Sequence, residues 1–269
     1  MLIFCLAQKN KISYNANMIC YTILGISFAL IMTILGSSLV FFFKKPISKK
    51  LNTIFYGLSA GIMFAATIWS LIIPSIEASQ SYGDFKFVPA VLGIILGALF
   101  IVFLDIISQK LSKNQNGLSK NTKLFIAVTV HNIPEGLAVG FAFGIAISSG
   151  SMPLCLSALS LAIGMGIQNF PEGSAISLPM KDSLNSRFKA FMFGVLSAVV
   201  EPIASVLGLF LAFSLQGLFP YVLGFAGGTM IYVIIEELLP EASLDGQNNL
   251  GTWSFIIGFC LMMILDIVF

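Results

Sequence analysis

Two similar hexapeptides, HNIPEG at 131–136 and QNFPEG at 168–173, lie within strongly apolar stretches of this 269-residue chain. Residues three and four apart share one face of a helix, so the first hexapeptide should project His131, Asn132 and Glu135 together. The second has the same order of amide, proline, carboxylate and glycine, and should project Gln168, Asn169 and Glu172. Because a proline and a carboxylate are each costly inside an apolar helix, their repetition indicates that these side chains have a function.

Each hexapeptide also interrupts the hydrogen bonding of its own helix. Pro134 cannot donate a backbone hydrogen bond to the carbonyl of Val130, and Pro171 likewise frees the carbonyl of Ile167. A proline inside a helix costs about 3 kcal/mol in a soluble protein, and a membrane helix tolerates it where the freed groups line a cavity or find partners. The two prolines therefore favour a polar cavity beside the hexapeptides.

A third carboxylate, Glu201, stands next to a third proline, Pro202, in the apolar segment VVEPIAS. A central acidic residue costs about 3 kcal/mol to insert into a membrane, so three of them need compensation of order 10 kcal/mol. The sequence places no lysine or arginine at that depth. The compensating charge must therefore come from bound cations or from protons, and two divalent cations would exceed the charge of the three carboxylates.

One imidazole, several amide oxygens and three carboxylates form an oxygen-rich ligand set. Such a set suits Zn²⁺, Fe²⁺, Mn²⁺ or Cd²⁺ bound transiently, and it lacks the closed cysteine and histidine cage of a structural zinc site. Other roles remain open for single members. His131 could only pack or donate a hydrogen bond, Asn132 and Asn169 could hold neighbouring helices together, and Glu201 could relay protons.

The composition predicts an all-α membrane protein. Hydrophobic residues make up 57% of the chain and charged residues 10%, against about 25% charged residues in a typical soluble domain. Continuous apolar runs of roughly 20 residues, the length that crosses a bilayer as a helix, predict eight transmembrane helices. We number these helices 1 to 8, at about 17–43, 51–75, 88–108, 123–149, 153–180, 188–215, 219–240 and 250–269.

Two further helices carry polar side chains that could lie along a transport pathway. Helix 2 has Met63, Ser70 and Glu77 at seven-residue spacing, roughly one stripe. Met63 could add a thioether to a metal site or simply pack, and Glu77 could capture a cation at the outer mouth. Near the inner mouth, helix 7 ends in an acidic cluster that could be an exit site or a solvated helix end and comprises Glu236, Glu237 and Glu241.

The basic residues are distributed unequally between the loops. Eleven of the 14 lie between helices 1 and 2, 3 and 4, or 5 and 6, and three lie on the opposite side. The positive-inside rule places those three loops in the cytoplasm and both termini outside. We therefore expect a multi-pass protein of the cell (inner) membrane with both termini extracytoplasmic.

Short internal matches suggest an inverted repeat. SAGIM at 59–63 in helix 2 resembles AGGTM at 226–230 in helix 7, and LDI closes both helix 3 and helix 8. The matched helices cross the membrane in opposite directions, so two three-helix units would flank helices 4 and 5. Chance similarity between apolar segments is the alternative. The aspartates of the two LDI segments, Asp105 and Asp266, are expected at the membrane interface.

These segments resemble the ZIP (Zrt/Irt-like protein) family of divalent-metal transporters, and most closely its GufA-type branch. The similarity rests on HNIPEG, on GIQNFPEG at 166–173, on VEP at 200–202 and on EELLPE at 236–241, and it extends from about helix 2 to helix 8. It implies a single transporter domain over 1–269, with eight helices in a 3+2+3 inverted-repeat arrangement. Helices 1–3 would span about 17–108, helices 4–5 about 123–180 and helices 6–8 about 188–269.

The resemblance also assigns ligands to two metal ions between helices 4 and 5. It implies a primary site of Met63, His131, Gln168, Asn169 and Glu172. It implies a second site of Asn132, Glu135, Asn169, Glu172 and Glu201, with Glu135 and Glu172 bridging the ions. Ser70 and Glu77 match the family's entrance positions. Gln168 and Glu236 stand where many or several family members have histidine, and the loop between helices 3 and 4 lacks the histidines found in many of them.

The sequence therefore predicts a secondary transporter that imports Zn²⁺ and related divalent ions into the cytosol by alternating access. It contains no P-loop, and a single histidine without an HExxH motif argues against a metalloenzyme. A metal-gated channel or a membrane metal sensor is the alternative. The expected partners are the lipid bilayer, divalent metal ions and a second copy of the chain as a homodimer, with no organic cofactor and no nucleic acid.

Overall fold

A computed structural model of the chain describes residues 2–43, 48–112, 120–243 and 249–268. Parts of the predicted loops between helices 1 and 2, 3 and 4, and 7 and 8 lie outside these ranges. The described residues are almost entirely helical, and within them eight helices are long and apolar enough to cross a membrane. The all-α fold and the eight predicted spans are therefore confirmed.

The helix bounds extend beyond several of the predicted spans. Helix 1 covers Leu2–Ser38, helix 3 Val88–Ser112, helix 4 Lys120–Ser149, helix 5 Met152–Leu184, helix 6 Arg187–Ala212 and helix 8 Leu250–Val268. Helix 2 consists of Lys49–Ala66, a π-helical turn at Thr67–Ile72 and Ile73–Glu77, and helix 7 of Phe219–Val233, a π-helical turn at Ile234–Leu238 and Leu239–Ser243. The extra length lies at helix ends, where polar residues leave the apolar window that predicts a span.

The two π-helical turns precede prolines. Pro74 follows the wide turn of helix 2, and Pro240 follows that of helix 7. Because proline has no N–H, it cannot continue the regular ladder of backbone hydrogen bonds, and a single wider turn is one way for a helix to absorb the defect without ending. Helices 2 and 7 therefore each continue past a proline without ending.

The helices pack mainly as two groups of four. Helices 1, 4, 5 and 6 contact one another closely, and helices 2, 3, 7 and 8 form the other group. Glycines allow the close approach inside each group, since a Cβ at Gly140 of helix 4 would overlap the carbonyl of Ser205 in helix 6. The two groups meet chiefly where helix 5 packs on helix 2 and helix 4 packs on helix 7.

The second group is held by glycine contacts that occur in equivalent pairs. A Cβ at Gly61 of helix 2 would overlap the carbonyl of Phe255 in helix 8, and one at Gly228 of helix 7 would overlap the carbonyl of Ile94 in helix 3. When SAGIM is aligned with AGGTM and one LDI with the other, Gly61 corresponds to Gly228 and Ile94 to Phe255. The contact between helices 2 and 8 thus has its counterpart between helices 7 and 3.

Candidate metal centre

Helices 4, 5 and 6 bring their polar side chains together in the interior of the first group. Helices 4 and 5 continue through Pro134 and Pro171, and helix 6 continues through Pro202. The seven polar side chains predicted on these helices are all buried, and each is at most 2% exposed. They are His131, Asn132, Glu135, Gln168, Asn169, Glu172 and Glu201. Complete burial of this many polar groups demands partners of comparable strength.

His131, Glu135 and Glu172 form the tightest part of the cluster. The Nε2 atom of His131 lies 3.4 Å from Oε2 of Glu172, and one potential ligand atom from each of the three residues lies within 4.8 Å of the others. Nitrogen and oxygen ligands bind Zn²⁺ at about 2.0–2.2 Å, so ligand atoms on opposite sides of one ion stand about 4 Å apart. The three side chains fit one divalent ion after small rotations.

Amide side chains tie the carboxylates of the three helices together. Gln168 donates from Nε2 to Oε1 of Glu135 at 2.9 Å, and Asn169 donates from Nδ2 to Oε2 of Glu201 at 2.6 Å. These bonds link helix 5 to helix 4 on one side and to helix 6 on the other. Hydrogen bonds to charged groups are stronger than neutral ones, so the two amides partly compensate two of the carboxylates.

Asn132 adds a third link, because its Nδ2 atom donates to the backbone carbonyl of Ser197 at 3.2 Å. The amide oxygen of Asn132 takes no part in that bond. Asn132 can therefore hold helices 4 and 6 together, as the alternative role predicts, and still offer its oxygen to an ion.

The centre also concentrates oxygens that lack a donor. Among the described side chains, seven buried oxygens of the cluster have no hydrogen-bond partner: Oδ1 of Asn132 and Asn169, Oε1 of Gln168 and Glu201, Oε2 of Glu135, and both carboxylate oxygens of Glu172. Leaving one buried polar group unsatisfied costs about 1–3 kcal/mol, so a fold would not assemble seven at one place without a ligand. A bound cation can act as the partner of oxygen atoms that have no hydrogen-bond donor.

No lysine or arginine of the described helices reaches this depth. Lys181 is buried on helix 5, but it lies nine residues after Glu172, which is about 13 Å along the helix axis. Its Nζ atom donates to the carbonyl of Phe43 at 3.3 Å and lies 3.5 Å from Oδ1 of Asp182. Lys181 therefore serves the end of helix 5 and not the three glutamates.

Met63 enters the interior from the other group of helices. Its side chain is 1% exposed on helix 2, which packs on helix 5. Among the described residues, the hydrogen bonds and ion contacts of the cluster do not include Met63. Its burial fits both predicted roles, thioether ligand and packing residue.

A second polar contact, which the sequence did not predict, joins helices 2 and 8. Ser70 donates from Oγ to Oδ1 of Asp266 at 2.7 Å, and Oδ2 of Asp266 is buried without a hydrogen-bond partner among the described residues. A Cβ at Gly164 of helix 5 would stand 2.9 Å from Oγ of Ser70 and 3.3 Å from Oδ1 of Asp266. This pair therefore lies against helix 5 only one turn, about 6 Å, before Gln168.

The sequence predicted both Asp105 and Asp266 at the membrane interface. Asp105 is exposed, whereas Asp266 is half-buried and accepts a hydrogen bond from Ser70. The available signal was the repeated LDI segment, which marks a carboxylate at the same place in two helices. Its meaning could not be extracted without knowing that helix 8 crosses helix 2 beside Ser70.

The predicted pathway carboxylates lie at the helix ends. Glu77 is exposed at the end of helix 2, and Glu236 is exposed in the π-helical turn of helix 7. Glu237 and Glu241 are half-buried and turn partly toward the interior. The structure thus separates Glu236, on the outer surface, from its two neighbours in the predicted exit cluster.

Comparison with known proteins places these features in a family context. The family described as ZIP Zinc transporter matches residues 122–266, from the first turn of helix 4 to the last turn of helix 8. The chain is 32% identical to zinc transporter ZIP11 of Homo sapiens, over 91% of this chain and 96% of that protein. It is 34% identical to zinc transporter GufA of Myxococcus xanthus, over 78% and 84%, and 29% identical to zinc transporter ZIPB of Bordetella bronchiseptica, over 91% and 80%.

Proposed function

The chain belongs to the ZIP family of zinc transporters, and from that premise we propose that it is a secondary carrier importing Zn²⁺ and related divalent ions into the cytosol. The observation that carries the proposal is the cluster of seven buried oxygens without a hydrogen-bond partner beside His131, at the centre of a membrane-spanning bundle. The mixed nitrogen and oxygen ligand set also suits Fe²⁺, Mn²⁺ and Cd²⁺.

The proposed centre holds two ions. His131, Gln168, Asn169 and Glu172, with Met63, would hold the first, and Asn132, Glu135, Asn169, Glu172 and Glu201 the second. Glu172 supports a bridging role because both of its carboxylate oxygens are free of hydrogen bonds, and Glu135 supports it with one free oxygen. Glu201 accepts from Asn169 with Oε2 and keeps only Oε1 free, which suits a ligand of the second ion alone.

Alternating access is supported by the grouping of the helices. Helices 4, 5 and 6, which carry almost all proposed ligands, belong to one closely packed group, and helices 2, 3, 7 and 8 form the other. Moving the first group as a unit would carry the loaded centre past helices 2 and 7 and would keep every proposed ligand except Met63 of helix 2 in place. The equivalent contacts of Gly61 and Gly228 support the proposed 3+2+3 inverted repeat, because such a repeat can supply two related packing arrangements.

We propose a route that begins at Glu77 and passes Ser70 and Asp266 to the centre. Asp266 supports this route because its buried oxygen lies one turn from the ligand Gln168. Beyond the centre, Glu237 and Glu241 would receive the ion. The exposed Glu236 would then attract it toward the surface. The distribution of lysine and arginine supports an inner end at helix 7 and both termini outside.

A channel is the competing function, and the burial of the centre argues against it. None of the seven side chains on helices 4 to 6 exposes more than 2% of its surface, so the centre is closed to solvent by the described residues. A site closed in this way must open by a conformational change for each ion, and its flux must saturate.

The deciding experiment measures Zn²⁺ entry into liposomes that contain the purified chain and a trapped zinc indicator. We expect initial rates that saturate with Zn²⁺ concentration and fall to the level of empty liposomes in Glu172→Ala. Rates that rise linearly with concentration would favour the channel, and wild-type rates equal to those of empty liposomes would refute transport. Light scattering on the purified chain tests the expected homodimer.

A further inference from the structure

Met165 of helix 5 is a fully buried methionine whose sulfur contacts the polar centre. It lies three residues before Gln168 and seven before Glu172, so these three side chains share one face of the helix. The Sδ atom of Met165 accepts a hydrogen bond from Nε2 of Gln168 at 3.6 Å. The centre of oxygen and nitrogen groups therefore has a thioether on its border.

The amide nitrogen of Gln168 lies between two electron-rich atoms. It donates to the sulfur of Met165 and also, at 2.9 Å, to Oε1 of Glu135. The sulfur and the carboxylate oxygen can therefore be no further apart than the sum of these two distances. A cation is attracted to the same atoms that accept hydrogen bonds, so the amide group occupies a place that a cation could take. The flexible methionine side chain can adjust its sulfur to such an ion.

On the basis of the proposed function, we infer that Met165 is a ligand of the first ion and makes the centre prefer the thiophilic ions Zn²⁺ and Cd²⁺ over Mn²⁺. In the empty centre the sulfur accepts a hydrogen bond from the Gln168 amide. When an ion enters, the amide rotates and offers its oxygen, which has no hydrogen-bond partner, and the sulfur is released to the ion. Thioether ligands select softer ions, whereas carboxylate and carbonyl oxygens also suit Mn²⁺.

Met165 also offsets the hard ligand at position 168. An amide oxygen in place of an imidazole nitrogen weakens the preference for zinc, and a thioether one turn earlier on the same face restores a soft ligand. The neighbouring Gly164 lies against Ser70 and Asp266, since its Cβ would stand 2.9 Å and 3.3 Å from their side-chain oxygens. An ion on the proposed route would therefore meet the sulfur of Met165 before it reaches Gln168.

The competing role of Met165 is indirect. The side chain could fill space and hold the amide of Gln168 without touching an ion. Its replacement would then disturb hard and soft ions alike, because the amide oxygen serves both. Met165→Leu separates the two roles, because leucine keeps the volume and the apolar character, which packed interiors tolerate well, and removes the sulfur.

The experiment measures equilibrium binding of Cd²⁺ and of Mn²⁺ to the purified full-length chain in detergent, by dialysis and metal analysis. The exposed thiols of Cys20 and Cys260 are alkylated first, so that they do not bind Cd²⁺. We expect Met165→Leu to lower the affinity for Cd²⁺ about tenfold, the lower end of the effect of losing a group next to a metal ligand. The affinity for Mn²⁺ should stay unchanged.

The matched control is Met18→Leu, because Met18 of helix 1 is also a buried methionine. Its backbone carbonyl lies 3.9 Å from Sγ of Cys155, and Cys155 precedes Gln168 by 13 residues, which is about 20 Å along helix 5. This variant should bind both ions as the wild type does.

X-ray absorption of bound Cd²⁺ supplies a readout that does not depend on affinity. The chain is produced with selenomethionine, so that a methionine ligand appears as a selenium neighbour of the ion and cannot be confused with a cysteine. Met63 is replaced by leucine, because it is the other proposed thioether. We expect the selenium neighbour to remain in Met63→Leu and to disappear when Met165→Leu is added.

Two results would overturn the inference. One is that Met165→Leu changes the affinities for Cd²⁺ and Mn²⁺ by the same factor or leaves both unchanged, which would make Met165 a packing or positioning residue. The other is that Cd²⁺ bound to Met63→Leu has no selenium neighbour. Either result leaves the proposed function intact. A wild-type chain that binds neither ion and admits no Zn²⁺ into liposomes would refute the centre itself, and the inference with it.

Discussion

Replacement of His131 and replacement of Glu201 should have different effects on zinc transport. His131 is the only imidazole of the chain, and its Nε2 atom lies 3.4 Å from Glu172. His131→Ala leaves carboxylates and amides, which discriminate poorly among divalent ions. Losing a residue that merely orients a ligand costs 10–100-fold in metal affinity, so losing a direct ligand should cost about 100-fold or more, equivalent to about 2.7 kcal/mol.

Glu201→Ala should be less severe. Glu201 would serve only the second ion, and the carboxylates of Glu135 and Glu172 remain to hold the first. The variant leaves Nδ2 of Asn169 without its acceptor at 2.6 Å, a loss of about 1–3 kcal/mol in the stability of the fold. We therefore expect a less stable protein with reduced but measurable zinc flux.

The assay compares initial Zn²⁺ uptake rates of both variants in liposomes at matched protein content. Asp84→Asn serves as the control, because it removes an exposed carboxylate in the loop between helices 2 and 3. We expect the control to transport at the wild-type rate, Glu201→Ala at an intermediate rate and His131→Ala close to background. A His131→Ala variant with normal zinc transport beside an inactive Glu201→Ala would show that the two sites were assigned the wrong way round.

Three further predictions concern the route, the packing and the topology. Asp266→Ala should raise the Zn²⁺ concentration needed for half-maximal uptake, because it removes the buried oxygen near Gln168, whereas the exposed Asp105→Ala should not; equal effects would contradict the route. Gly140→Ala should lower thermal stability by about 1–3 kcal/mol, because its Cβ would overlap the carbonyl of Ser205, and Gly217→Ala, whose Cβ meets nothing within 4 Å, should be neutral. A cysteine near Gly83 should react readily with an impermeant reagent added outside and one near Gln247 poorly; the reverse pattern would invert the proposed topology.

The sequence predicted which polar side chains would lie together because each pattern is local to one helix. His131 and Glu135 are one helical turn apart, and so are Gln168 and Glu172, so helix geometry alone predicts which side chains share a face. The sequence also indicated that helix 5 faces helix 4, because both helices carry the same pattern of polar residues. Burial of all these side chains in the structure agrees with that reasoning.

Contacts between distant segments could not be read in the same way. Ser70 and Asp266 are 196 residues apart, and their hydrogen bond depends on how helices 2 and 8 cross. The π-helical turns of helices 2 and 7 were also missed, because proline predicts a defect in a helix but not whether the chain kinks, widens or ends there. Sequence periodicity describes one helix at a time, and these features belong to pairs of helices.

Under the proposed function, the amides of the centre provide a way to release a bound ion. Gln168 and Asn169 donate to Glu135 and Glu201, so two carboxylates keep a partner when no cation is near. A hydrogen bond to a charged group contributes about 1.5–3 kcal/mol, which limits the penalty of the empty state without removing it. Each amide also has an oxygen without a donor, so rotation of its side chain can exchange a nitrogen that holds the carboxylate for an oxygen that binds the ion. A histidine at position 168 has no amide oxygen to exchange for its nitrogen donor, so this route of release would be lost beside Glu135.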